Sequence, residues 1–123
     1  MKPFTTKQKG DAGEITCAEY LKRKGFKILE RNYRKPFGEI DLIARKGDLL
    51  CFVEVKTRHS NPMTCGWEAV DYRKRKRIIL TAQAYLAENG DGCYCRFDVC
   101  EVTIEKSTLR TLGINYIESA FEL

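Results

Sequence analysis

One histidine, three prolines and one tryptophan are all that 123 residues hold of those types, and no apolar run approaches the roughly 20 residues of a membrane span. The single histidine, His59, excludes a histidine-rich metal centre, and Cys93-Tyr-Cys95 lacks the Cys-x-x-Cys spacing of a zinc site. With so few prolines and no Pro/Gly/Ser linker, low-complexity tract or internal repeat, nothing divides the sequence, and one domain over residues 1–123 is expected. Residues 1–9 lack the apolar stretch of a secretory signal, which gives the expectation of a cytoplasmic protein with no membrane partner. In that compartment the six cysteines are expected as reduced thiols, not as a disulfide framework.

What is present suits a folded domain: 43% of residues are apolar and 32% charged, enough aliphatic and aromatic material to offset the entropy of ordering. Lysine and arginine number 22 against 17 acidic residues, a formal charge of +5 that favours a polyanionic partner only if the excess is clustered.

Residues 6–24 place Ile15, Ala18, Tyr20 and Leu21 at helical spacing, with Gly25 as the stop. Residues 26–31 read as a short strand, followed by a basic turn region over 32–36. Two β-rich segments, 38–45 and 49–57, joined by Lys46-Gly47-Asp48, make a hairpin. A loop over 59–66 leads into a helix over 67–88, which stops at Asn89-Gly90-Asp91-Gly92. Residues 94–104 form another strand, and in the weakly patterned tail Tyr116, Ile117, Ala120 and Phe121 are expected to pack back on the domain. The order is α-β-β-β-α-β plus a tail.

Pairing the hairpin with Arg45 opposite Asp48 puts Asp41 opposite Phe52 and Glu39 opposite Glu54. One face then carries Ile40, Leu42 and Ala44 with Leu49, Cys51, Val53 and Val55. The other carries Glu39, Asp41, Glu54 and Lys56, with Asp41 and Glu54 diagonal neighbours about 7–8 Å apart. Alternating charge on a solvated sheet face is the ordinary explanation of one Glu-x-Lys tripeptide. Like charges this close nevertheless ask for neutralisation, which Mg²⁺ provides through one or two carboxylates while keeping waters. Lys56 beside such an ion would orient or deprotonate an attacking water.

Two helical positions add to this group. Glu14 lies four residues before Ala18 and seven before Leu21, on the stripe that faces the sheet. Lys74 lies four residues from both Val70 and Ile78, within the inward stripe that Ala82 and Tyr85 continue, where snorkelling of its stem is the plain alternative. Glu14, Asp41, Glu54, Lys56 and Lys74 are expected to converge near one sheet edge. Around them Arg34, Lys35, Arg58 and the run from Arg73 to Arg77, with Arg73 and Lys76 on an exposed side, make a cationic rim suited to a phosphodiester backbone. No aromatics interleave with the run, so single-strand readout by stacking is not indicated.

The residues Gly13-Glu14, Asn32-Tyr33, Gly38-Glu-Ile-Asp-Leu-Ile43, Phe52-Val-Glu-Val-Lys56-Thr-Arg58, Ala69-Val70, Arg73-Lys74, Tyr85-Leu86, Arg96-Phe-Asp98 and Tyr116-Ile-Glu-Ser-Ala-Phe121 together resemble the bacterial YraN family, also called UPF0102. The resemblance spans nearly the whole chain. That family is similar to the restriction-endonuclease-like PD-(D/E)xK superfamily, particularly archaeal Holliday junction resolvases. The resemblance implies an α/β fold in which helices flank a mixed central sheet. It implies that Asp41 and Glu54 bind Mg²⁺ or Mn²⁺ with help from the Val55 carbonyl and from Glu14, an auxiliary carboxylate. Lys56 would then serve the water, and Lys74 would occupy an assisting helix position. Ile40 stands where the superfamily name has proline.

The expectation is therefore a metal-dependent endonuclease acting on DNA, with branched or recombination intermediates as the implied class and DNA repair or recombination as the setting. Arg34, Lys35, Arg58, Arg73, Lys76 and Arg77 are the expected nucleic-acid contacts. Symmetric cutting of a junction would require two sites, hence a homodimer. The alternatives left open are a non-catalytic DNA- or RNA-binding adaptor that keeps the nuclease fold, and a protein-interaction domain whose acidic face docks a basic partner.

Overall fold

A computed structural model describes residues 2–59, 71–90 and 94–122. A capping box starts the first helix: the Thr5 hydroxyl accepts from the Gln8 amide while the Gln8 side chain accepts from the Thr5 amide. This helix, α1, spans Thr6–Arg23. Gly25, at φ +93°, takes the chain out of it in a conformation that side chains resist. Strands β1 (Lys27–Lys35), β2 (Gly38–Lys46) and β3 (Leu49–Arg58) follow, then α2 (Tyr72–Asn89), β4 (Tyr94–Ile104) and β5 (Thr111–Phe121). Asp71 caps α2 by accepting from the Lys74 amide at 2.8 Å. The expected helix turn over 67–70, Val70 included, lies outside the described residues, as do Cys65 and Cys93.

The five strands form one mixed sheet in the order β1-β2-β3-β4-β5, antiparallel except for β3 and β4, whose parallel pairing requires the crossover that contains α2. The expected mixed α/β architecture with flanking helices is present, with two differences in extent. The basic stretch after Arg31 continues β1 instead of turning, because Arg34 and Lys35 pair with Glu39 and Gly38. Charged residues suit this position, since β1 is an edge strand whose solvent-facing side chains discourage pairing with other chains. The tail is the other edge strand, β5, laid antiparallel on β4.

Alternation along the strands separates two cores. On one face Ile43, Leu50, Phe52, Phe97 and Val99 meet Ile78, Ala82 and Tyr85 of α2. On the other, Leu42, Ala44, Cys51, Val53, Cys100, Val102 and Ile104 meet Cys17, Ala18 and Leu21 of α1. Each helix thus covers one side of the sheet. Ile15, expected on the inward stripe, is 51% exposed, and Cys17 takes that inner place. The described cysteines, Cys17, Cys51, Cys95 and Cys100, are free thiols. Among the described residues no helix is long and apolar enough to cross a membrane.

A buried acid holds β5 in place. Between Phe97↔Phe121 and Val99↔Ile117 the ladder spends three β5 residues against one on β4, and Ser119 sits at φ +51° within that bulge. Asp98, fully buried, accepts from the Ser119 amide at 3.0 Å, from the Tyr116 hydroxyl at 2.6 Å and from the Arg96 guanidinium at 2.9 Å. The carboxylate therefore supplies the acceptor that the interrupted ladder withdraws.

Candidate functional site

The hairpin turn is the two residues Gly47 and Asp48, closed by the pair Lys46↔Leu49. The register therefore differs by two residues from the one that set Arg45 against Asp48. A shift of two leaves most side chains on their expected faces. The ladder runs from Lys46↔Leu49 to Leu42↔Val53, so Asp41 and Glu54 are the next residues on each strand and stand across from each other, not on the diagonal. The Asp41 carboxylate accepts from the Val55 amide at 2.7 Å, filling the place of a ladder bond, and its other neighbour is the Glu54 side chain.

The partner strand bends at the same level. Asn32, flanked by Arg31↔Leu42 and Tyr33↔Ile40, faces Asp41 and has φ +51°, a left-handed conformation uncommon outside glycine but tolerated by asparagine. This bend reverses the expected faces at the start of β2: Ile40 joins the core under α2 while Leu42, two residues on, packs under α1, and Glu39 lies on the α1 side instead of beside Glu54 and Lys56.

The five expected residues come together where β2 begins and β3 ends. These are interior strands, so the site lies at the end of the sheet and not at an edge strand. Lys74 of α2 is ion-paired with Glu54, which is 7% exposed. Lys56 is hydrogen-bonded to Lys74, and the field of Glu14 reaches both Asp41 and Glu54. Burial, reinforced by the Glu54 carboxylate, pushes the Asp41 carboxyl up to about 8. Burial, and then the neighbouring Lys74 ammonium, hold Lys56 below the ordinary lysine value. Burial also opposes the charge on Lys74, but Glu54 and Lys56 outweigh it and its pKa is raised. Glu14 is raised by burial, partly offset by a hydrogen bond from the Asn32 side chain. The adjoining carboxylates thus favour holding a proton between them, while Lys56 is the amine more ready to lose its own.

Two contributors escaped the sequence reading. Asn32 both bends β1 and holds Glu14; its sequence signals were its place in the region taken for a turn and in the Asn32-Tyr33 pair of the resemblance, neither of which gave it a role. Glu101, 7% exposed and beside Lys56 in the β3–β4 ladder, is paired with Arg58 at 3.0 Å. An acid among the largely apolar residues 99–104 of β4 was the signal for it. Arg58, expected to touch nucleic acid, is thus committed to a buried carboxylate. Two more of the expected rim cations are also engaged: Arg34 with Glu39 at 3.4 Å and Lys35 with Glu88 at 2.7 Å. On α2, Arg73, Lys76 and Arg77 are exposed, and Lys76 lies over the Tyr72 ring. Among the described residues no group of three or more His, Cys, Asp or Glu side chains gathers as a ready metal cage.

Gly13 sets how closely α1 approaches this site. A Cβ there would lie 2.0 Å from Thr57 Oγ1 and 3.1 Å from Thr57 Cβ, so helix and strand meet backbone to side chain beside Glu14 and Lys56. Gly13→Ala is expected to cost about 1–3 kcal/mol through overpacking. A urea melt checks this, and a midpoint at or above that of the parent would contradict it.

The family described as "Uncharacterised protein family UPF0102" matches residues 13–102. A UPF0102 protein of Chlorobium chlorochromatii is 45% identical over 122 residues, covering 97% of this chain and 95% of that protein. One from Moorella thermoacetica is 42% identical over 119 residues, with 96% and 98% covered. A third, from Caldanaerobacter subterraneus, is 43% identical over 122 residues, with 98% and 100% covered.

Proposed function

Since the chain belongs to the UPF0102 family, a name that assigns no chemistry, we propose from the site itself that it is a metal-dependent phosphodiesterase cutting DNA endonucleolytically. The observation that carries this reading is the pair of half-buried Asp41 and buried Glu54 at the end of the sheet with Lys56 beside it. Two carboxylates forced together hold a proton at neutrality that a divalent cation would displace, and a hard cation needs only one or two carboxylates. The residues fit Mg²⁺ or Mn²⁺: Asp41 and Glu54 would hold it, with the Val55 carbonyl and Glu14 as the auxiliary oxygens that the resemblance implies. When bound, it supplies Lewis-acid stabilisation of charge on the phosphoryl oxygens.

The chain's own residues then divide the remaining work. Lys56, whose pKa burial and Lys74 lower, in its unprotonated form accepts the proton of the water whose oxygen attacks phosphorus. The phosphorus–oxygen bond on the opposite side breaks, and the leaving oxygen departs with the electron pair to take a proton from solvent. Lys74 keeps Glu54 oriented, and its positive charge eases proton loss from Lys56. Asn32 holds Glu14 toward the pair.

The test is cleavage of branched, flapped and linear DNA in Mn²⁺ by the parent and by Lys56→Met. The parent is expected to cut, and the variant to be slower by about a hundredfold, the lower range for a lost general base. Equal rates would reveal a contaminating nuclease. Salt-sensitive DNA binding with no cleavage and no metal response would instead favour the adaptor that keeps the fold.

A further inference from the structure

Beside the carboxylates, α1 and the end of β3 enclose a cleft of about 340 Å³, lined by Lys9, Gly10, Glu14, Lys56, Thr57 and His59 among others. It is at the small end of ligand-site sizes, roughly 300–1,000 Å³, so it takes one unit of a chain and not a folded partner. Its floor is Gly10. Glycine inside a helix weakens it relative to alanine and needs a reason. At Gly13 the reason is Thr57, but a Cβ on Gly10 would meet nothing within 4 Å. The missing side chain at Gly10 serves no packing; it leaves helix backbone bare toward the cleft, as a close approach by a ligand requires.

The lining selects the ligand. Lys9 makes no ion pair among the described residues, unlike Arg34, Lys35 and Arg58, and His59 and Thr57 bring further donors from the strand side. We infer that this cleft seats one sugar–phosphate unit of a DNA strand, next to the phosphate on which the cation proposed at Asp41 and Glu54 would act. The backbone crosses the bare surface of Gly10 between Lys9 and His59. The inference rests on the nucleic-acid reading above and adds a strand path along α1 in place of the Arg73 to Arg77 helix face.

Fluorescence anisotropy with an end-labelled DNA four-way junction and a linear duplex, in EDTA so that nothing is cut, separates the two levels. Gly10→Leu is expected to weaken binding tenfold or more. Lys9→Ala is expected to weaken it several-fold and to reduce the slope of log affinity against log salt by about 1, whereas Lys22→Ala on the far turn of α1 leaves binding near the parent. Gly10→Ala should raise the melting temperature by roughly 2–6 °C while weakening binding, a pairing of effects that damage to the fold cannot produce. If Gly10→Leu and Lys9→Ala bind as the parent does, the cleft assignment is overturned and the nucleic-acid reading stands. If the parent binds neither DNA at low salt, the nucleic-acid reading itself fails and the cleft assignment goes with it.

Discussion

Asp41→Asn is expected to do two opposite things: stabilise the metal-free protein increasingly as pH rises from about 4 to 8, and remove its metal-dependent chemistry. The carboxyl is raised to about 8 in the fold, above its ordinary value of 3.8. A group raised in this way favours the fold fully below the unfolded value and loses that contribution as pH climbs through the folded one, because the folded state holds the proton more tightly. Ionisation of Asp41 therefore works against the native state across that window. Asparagine does not ionise, and its geometry serves both neighbours: its oxygen accepts from the Val55 amide, as the carboxylate does at 2.7 Å, and its amide nitrogen donates to Glu54. One pKa unit is worth about 1.4 kcal/mol, so even part of the shift moves a thermal midpoint by several degrees. The same variant loses a proposed cation ligand. Lewis-acid stabilisation is worth several kcal/mol, and at 1.36 kcal/mol per tenfold its loss lowers cleavage by roughly 10³-fold or more. Melting curves of parent and variant from pH 4 to 9, with and without Mn²⁺, check both halves. A variant less stable than the parent at pH 8, or stabilised by Mn²⁺ as much as the parent, would refute the assignment.

The second large effect concerns the fold. Asp98→Ala leaves the Arg96 guanidinium, the Tyr116 hydroxyl and the Ser119 amide without their shared acceptor at a fully buried position. Removing one member of a buried ion pair costs about 3–5 kcal/mol, a large share of the stability of a domain this size. The loss should fall first on β5, whose bulge the carboxylate holds, so amide exchange is expected to accelerate in residues 114–121 before the rest of the sheet. Uniform acceleration, or a urea midpoint equal to the parent's, would show that the network is dispensable. Asp98→Asn, which keeps an acceptor and loses the charge, should fall between.

Much of this was legible in the residues. Alternation placed Glu54 and Lys56 on the face they occupy, because a register error of two preserves parity, and Asp41 moved from diagonal to opposite Glu54; before the bend, Glu39 and Ile40 take the reverse faces. Inward helical positions for Glu14 and Lys74 followed from their spacing to Ala18, Leu21 and Ile78. What stayed hidden depends on departures from periodicity. The left-handed turn at Asn32, which sends Ile40 to the other side of the sheet, has no signature in an otherwise polar strand. Asp98 was visible only as part of a resembling motif, because a carboxylate that satisfies a bulge cannot be placed until the bulge is known. The strand character of the tail was missed for the same reason: its inward residues are broken in step by Ser119. Charge alone also does not reveal that Arg34, Lys35 and Arg58 of the cationic rim have acidic partners within the fold.

The parallel pairing of β3 with β4 also orders the assembly of the site in time. Asp41, Glu54 and Lys56 lie on β2 and β3, which pair antiparallel across a two-residue turn, whereas Glu14 on α1 is about as far from β3 in sequence as β4 is. A parallel pair must wait for its crossover, and contacts between distant segments close more slowly than local ones. Lys74 rides on that crossover and arrives with it. A nascent chain halted before α2 would therefore hold the acids and Lys56 but lack the ammonium that pairs with Glu54. The crossover that the parallel pair requires is thus also the element that brings the ammonium beside Glu54.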